Sequence, residues 1–296
     1  MSKLEVQLFY VDDQDHELES VVSSFKDNRA VKKTRLIEIC AESIVKKSPS
    51  ACVTLVTDMK SFPNNNFENL EIVRINTIQP QSLLFDLNLY RRNYIRERTT
   101  QEDRIFFTDI DVLVNCDLNL LFEHDFDIQT SIDSQMQGPI NKQGLPLGHM
   151  GYRFTGGGFF VKCNERSLNF FDEYLALWRL LAERSNFETM GKYSSLIKRD
   201  FLKWWGEIHT FSAMAGVDAL SGLTDSKTIS GCKFRFLDEV FYNYAPNNLD
   251  PYGDDLNFLD QYERELLKKF FDKKSIIHFR GNRKKYMPQI YDLING

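Results

Sequence analysis

The feature that most constrains this chain is the alternation of strand and helix patterns over its first third. Residues 6–11 read as a strand, and 30–47 as an amphipathic helix with Leu36, Ile37, Cys40, Ala41, Ile44 and Val45 on one stripe. Residues 51–57 and 70–75 read as strands separated by the turn-rich Pro63-Asn64-Asn65-Asn66, 82–98 as a helix, and 105–108 as the next strand. This order predicts an α/β chain whose mostly parallel central sheet is covered by helices on both faces. Ligands of such sheets gather beyond the carboxyl ends of the strands.

The second half is less regular. Residues 127–132, 159–162, 233–237 and 275–279 read as strands, and 165–183, 192–208, 258–271 and 288–295 as helices. No repeat or low-complexity linker divides the chain, so a single domain over 1–296 is expected. Within it the regular pattern occupies 1–125 and the less regular one 126–296.

Bulk properties permit an enzyme and narrow little else. A net charge of -5 gives no bias toward nucleic acid. No apolar stretch approaches the roughly 20 residues of a membrane span, and no signal peptide is visible at the N-terminus. The five cysteines (Cys40, Cys52, Cys116, Cys163, Cys232) are odd in number and scattered, as reduced thiols in a cytoplasmic protein would be.

The run Ile105-Phe106-Phe107-Thr108-Asp109-Ile110-Asp111 ends an apolar strand in two carboxylates. On an extended segment both point the same way, with Cα atoms roughly 6–7 Å apart. One hard cation can be held by both at that separation. Asp13-Gln14-Asp15 and Asp125-Phe126-Asp127 share the spacing but lack the apolar context, the strand before and Val112-Leu113-Val114 after. Carboxylates in such surroundings call for a cation or a basic partner. The alternative is a turn cap, or ion pairs with Arg91, Arg92 or Arg96.

A second polar cluster, His278-Phe279-Arg280-Gly281-Asn282-Arg283-Lys284, follows the apolar Ile276-Ile277. Between 268 and 285 the chain carries many lysines and arginines against a single acid, Asp272. Gly281 permits close backbone approach to a ligand, and Lys284 can neutralise a phosphate. A neutral imidazole with two carboxylates suits manganese or magnesium. The plainer alternatives are a core histidine and a solvated basic face.

At these residues the chain resembles the GT-A-fold glycosyltransferases, in particular the retaining group that includes glycogenin and bacterial lipopolysaccharide galactosyl- and glucosyltransferases. The run from Phe107 to Phe122 is similar to that group's D-x-D followed by "vlv-x-x-dl-x-x-lf", and His278, Gly281 and Lys284 match its H-x-x-G-x-x-K without a gap. Phe154-Thr155-Gly156-Gly157-Gly158-Phe159-Phe160 resembles its acceptor-side "F-N-x-G" segment, and Leu237–Asn243 its "L-P-x-x-y-N" element. The matches keep the family order over roughly residues 4 to 290.

The resemblance implies a GT-A, Rossmann-like sheet with a C-terminal acceptor-side region. It implies a hexosyltransferase that uses a nucleotide sugar, UDP-glucose or UDP-galactose, and a glycan, lipid-linked or protein acceptor, with retention. Asp109, Asp111 and His278 would bind Mn2+ (or Mg2+), and Gly281 and Lys284 the diphosphate. Tyr10, Val11, Asp12 and Asp13 would hold uracil and ribose, and one of Arg91, Arg92 or Arg96 would sit beside the D-x-D and the donor sugar. Asp133, Gly157 and Gly158 would face donor sugar and acceptor.

Three segments depart from the family pattern. Thr155 replaces an asparagine, Lys285-Tyr286 replaces Pro-Trp, and Gly216-Val217-Asp218-Ala219-Leu220-Ser221 replaces "D-Q-D-x-L-N". Asp218 is then the acid left near the reacting face, and it or Asp133 is the candidate catalytic assistant. Trp204-Trp205, with Ile197, Phe201 and Ile208 beside Lys198, Arg199 and Lys203, is a core stripe or a peripheral membrane face. Two other functions stay open: a haloacid-dehalogenase-type phosphatase, with Gly253-Asp254-Asp255 as its late acidic motif, and a degenerate transferase fold kept as a binding module.

Overall fold

Backbone hydrogen bonding sets the order of elements in the computed structural model, which describes residues 3–11, 33–61, 70–132, 154–184, 198, 201–215, 226–246, 259–279 and 281–296. The first part runs β1 (Leu4–Phe9), α1 (Lys33–Lys47), β2 (Cys52–Asp58), β3 (Glu71–Ile75), α2 (Leu83–Arg96), β4 (Arg104–Asp109), β5 (Val112–Val114) and α3 (Leu118–Leu121). Then come β6 (Ile128–Ile132), β7 (Phe154–Lys162), α4 (Glu165–Arg184), a π-helical turn Phe201–Trp205 and α5 (Gly206–Ala215). The last part is β8 (Ser226–Ile229), β9 (Cys232–Asp238), α6 (Glu239–Tyr242), α7 (Gln261–Phe271), β10 (Ile276–His278), a 3-10 turn Gly281–Tyr286 and α8 (Met287–Asn295).

The central sheet has eight strands in the order β3-β2-β1-β4-β7-β6-β9-β8 and is mostly parallel and flanked by helices, as the alternating pattern predicts. β1 pairs in parallel with β2, and β6 with β9. β7 runs antiparallel to β6, and β8 to β9 through a tight turn in which Ser230 and Gly231 both take positive φ. A second, two-stranded sheet joins β10 to β5.

The chain forms two compact units, each assembled from separated segments. The first comprises Met1–Lys3, Ile75–Phe106 and Asp125–Asp238. Its core is aromatic: Phe170 stacks on Tyr174 and meets Phe171, Phe211 and Phe234 edge-on. Such contacts add about 1 kcal/mol each beyond area burial. The polar ends of these rings find partners, with Tyr174 Oη donating to the Glu207 carbonyl and Trp178 Nε1 to the Phe201 carbonyl. Asp127 is buried and accepts from Arg166, Asn164 and the Lys233 amide, while Asp125 pairs with Lys233. This acidic pair ties β6 to α4 and β9, which accounts for it structurally.

The second unit comprises Leu4–Arg74, Phe107–His124 and Glu239–Gly296. All of β1 is buried, and α1 turns Leu36, Ile37, Ile39, Cys40, Ser43 and Ile44 inward. The stripe read from sequence is therefore rotated: Val45 is exposed and Ile39 takes its place. α7 begins at a reciprocal cap, with Asp260 accepting from the Glu263 amide and Glu263 from the Asp260 amide.

The helix expected over 192–208 lies partly outside the described residues, as do the side chains of Trp204 and Trp205. Where the π-helical turn meets α5, packing requires a glycine. At Gly206 a Cβ would sit 1.9 Å from Trp178 Nε1 and 2.5 Å from the Phe201 carbonyl oxygen. The indole occupies the space that any other residue's side chain needs. Gly206→Ala is therefore expected to lower stability by about 3 kcal/mol, measured by urea unfolding, and to perturb the near-ultraviolet tryptophan signal.

Candidate functional site

β4 ends at Asp109, the chain bends through the buried Ile110 to Asp111, and β5 begins at Val112. β5 is three residues long, and β10 pairs with it antiparallel, with Ile276 opposite Val114 and His278 opposite Val112. The Phe279 amide then donates to the Asp111 carbonyl at 2.8 Å. This short ladder carries a residue from the last tenth of the chain to the acidic pair.

His278 Nε2 lies 3.3 Å from Asp111 Oδ1 and 3.7 Å from Asp109 Oδ2. Ligand atoms of Asp109, Asp111 and His278 all fall within 4.8 Å of one another. On the opposite edge of the ring, Nδ1 is 3.0 Å from Asn243 Oδ1. Nδ1–H donates to that oxygen in the charged ring, whose Nε2–H then meets Asp111, and in the neutral ring, whose Nε2 lone pair is the one a metal ligand needs. Asn243 reaches the ring because Tyr244 bridges in parallel to Ile277, its amide donating to the Ile276 carbonyl and its carbonyl accepting from the His278 amide.

Lys284, in the 3-10 turn that opens at Gly281, places Nζ 3.1 Å from Asp111 Oδ2. Burial of Asp111 opposes its ionisation. The charges of His278 and then Lys284, with the hydrogen bonds both make, outweigh burial and hold the carboxyl well below the usual carboxylate range. Asp109 is more open, with its side chain 41% exposed against 7% for Asp111. One carboxylate is thus held ionised in the interior while the other faces outward, leaving room for further oxygen ligands around a hard cation.

The frame behind the site is rigid. Ser43 Oγ accepts from the Val114 amide and donates to the Cys40 carbonyl, fixing α1 on β5. Asn115 Nδ2 donates to the carbonyls of Phe271 and Lys274, fixing the α7–β10 connection. The Cys40 thiol approaches the Asp109 carbonyl at 3.9 Å, and burial pushes its pKa up, so it stays neutral beside the acids.

Of the other residues singled out in the sequence, Tyr10 and Val11 belong to the same unit, just past β1. The Tyr10 amide donates to the Val56 carbonyl and its ring lies 5.3 Å from the Lys33 ammonium. Arg91, Arg92, Gly157 and Gly158 belong to the first unit. There Arg91 is buried against Glu207 at 3.4 Å, Arg92 pairs with Asp172, and the Gly158 carbonyl accepts from Thr130. Asp111 therefore takes its basic partners from His278 and Lys284, while Arg91 and Arg92 are engaged with other acids. Asp12, Asp133 and Asp218 lie outside the described residues, as do Asp13–Asp15 and Gly253-Asp254-Asp255. The sequence by itself assigns Asn243 no role. Its position after an apolar turn, at the end of the Leu237–Asn243 match, was the available signal.

No known family model matches the chain, and no curated protein matches it. Solved structures do. The bifunctional glycosyltransferase WbbM aligns over 99% of this chain and 50% of its own, with 12% identity and a TM-score of 0.51. The chain has the GT-A fold. LgtC, a galactosyltransferase solved with donor and acceptor sugar analogues, aligns over 98% of this chain and 95% of its own at 15% identity and a TM-score of 0.45. The glycosyltransferase GlyE of Streptococcus pneumoniae aligns over 100% and 63% at 12% identity and 0.47.

Within this GT-A chain, the Lys284–Asp111 contact has a measurable signature. The folded pKa of Asp111 is depressed, so its stabilising contribution is full above the unfolded value of roughly 3.9 and is lost as pH falls through the folded pKa. Lys284→Met removes the ammonium that faces Asp111. The variant is expected to be about 1 kcal/mol less stable at pH 7, with the difference shrinking in acid as Asp111 protonates, followed by urea unfolding across pH.

Proposed function

We propose that the chain is a metal-dependent glycosyltransferase that moves a hexose from a UDP-sugar to a glycan, lipid-linked or protein acceptor with retention. The observation that carries this reading is the convergence of Asp109, Asp111 and His278 within 4.8 Å, with Lys284 at 3.1 Å from Asp111. The GT-A fold supports transfer over the phosphatase alternative.

The donor set fits Mn2+ or Mg2+: two carboxylates of unequal exposure and an imidazole whose second nitrogen is already held by Asn243. A divalent ion bound there supplies Lewis-acid stabilisation of the diphosphate leaving group. Asp111 is kept ionised and buried, and Asp109 turns its carboxylate outward. Lys284 shifts from Asp111 toward the phosphates as negative charge grows on them. Gly281 lets the backbone of the 3-10 turn approach the same oxygens. Tyr10, Val11 and Asp12 hold the uridine, and Arg91 or Arg92 the donor sugar. Gly157 and Gly158 face donor sugar and acceptor.

In the reaction the bond from the anomeric carbon to the diphosphate oxygen breaks while the acceptor hydroxyl oxygen bonds to that carbon from the same face. The departing phosphate oxygen takes the acceptor proton. Asp218 or Asp133 orients the acceptor hydroxyl.

A thermal-shift screen of nucleotide sugars with and without manganese tests the reading. A hundredfold excess over Kd adds about 2.7 kcal/mol, and the UDP-sugar that reaches it only with metal present is the donor. Slow UDP release from that donor, abolished by Asp111→Ala in a folded protein, is the expected result. Brisk hydrolysis of p-nitrophenyl phosphate with no response to any nucleotide sugar contradicts it, and so does a fold that binds the donor without ever turning it over.

A further inference from the structure

α7 buries Leu267 and Phe271 on one face and exposes three large apolar side chains on another. Tyr262, Leu266 and Phe270 are 69%, 50% and 41% exposed, and their spacing of four residues sets them in one stripe along the helix. Phe241 of α6, 44% exposed, widens the stripe at its C-terminal end. The Lys274 ammonium lies 4.7 Å from the Phe270 ring and 5.3 Å from the Phe241 ring, holding them side by side. Scattered exposed apolar residues need no explanation, but a continuous stripe does.

The charges beside the stripe are ordered. Glu263 and Glu265 flank its N-terminal half, and Lys269 and Lys273 its C-terminal end, while Arg264 and Lys268 lie on the far side of the helix from Leu266. An anionic surface or a parallel helix would set one of these ends against like charge. A second α7 running antiparallel does not. With Leu266 facing its own copy, Tyr262 meets Phe270, and Glu265 of each helix comes beside Lys269 of the other. The helix dipoles are opposed as well.

We propose that this stripe joins two copies of the chain through an antiparallel α7 pair with a two-fold axis at Leu266. Such a surface is self-complementary, as an isologous interface must be. It is also small, which fits a reversible dimer more than an obligate one. The inference does not depend on the reading of the metal site.

Sedimentation equilibrium of the full chain is expected to show a monomer–dimer equilibrium with a Kd on the order of 10 µM. Leu266→Glu sets like charges together on the axis and raises that Kd at least about tenfold, with thermal stability unchanged. Glu265→Lys raises it too, and adding Lys269→Glu to that variant returns it toward the wild-type value. A chain that stays monomeric, an association indifferent to Leu266→Glu, or a charge exchange that fails to restore it overturns the proposal. So does a monomer that binds phosphatidylglycerol vesicles through Leu266, because the stripe then serves a lipid surface.

Discussion

The antiparallel pairing of β5 with β10 is the contact on which the site depends. Three residues on each side, Val112–Val114 and Ile276–His278, bring together positions more than a hundred and fifty residues apart. The backbone bonds are few, so side chains behind them keep the register. Ser43 and Asn115 clamp β5 to α1 and to the end of α7, and Tyr244 adds its own bonds to Ile276 and His278. A slip of one residue would turn His278 away from the carboxylates, since successive side chains on a strand face opposite ways. The apolar Ile276 and Ile277, both buried, oppose that slip.

Charge balance follows from this geometry. A buried Asp111 is costly by itself. His278 and Lys284, both delivered by the same C-terminal segment, make its ionised form the favoured one. Asn243 in turn sets the ring orientation. The acid comes from the middle of the chain and its partners from the end, so neither segment makes chemical sense alone.

Much of the framework was legible in sequence because it rests on local periodicity. The strand–helix alternation gave the mostly parallel sheet, and the apolar run before Asp109 gave the carboxyl end of β4. Where local signal faded, so did the reading. β8, with the composition Ser-Lys-Thr-Ile, has no apolar alternation and is a strand because β9 hydrogen-bonds to it. Trp178 fills the space over Gly206, where the π-helical turn meets α5, and no pattern near 206 announces it. Asp109 and Asp111 were expected on one extended segment. Asp109 ends β4 and Asp111 lies in the bend that follows, and their ligand atoms still fall within 4.8 Å of each other and of His278. Nothing local links His278 to residue 111. That link entered the sequence reading through family likeness, and the long-range register of β10 supplies its physical cause.

The central claim is that the acidic pair and the imidazole hold one cation between them. Anomalous diffraction at the manganese edge, from crystals grown with manganese and UDP, addresses it most directly. The account predicts a single strong peak bonded to Asp109, Asp111 and His278 Nε2, with the diphosphate completing its coordination beside Lys284. A peak elsewhere in the molecule, or UDP bound with no anomalous density among those three side chains, would contradict it.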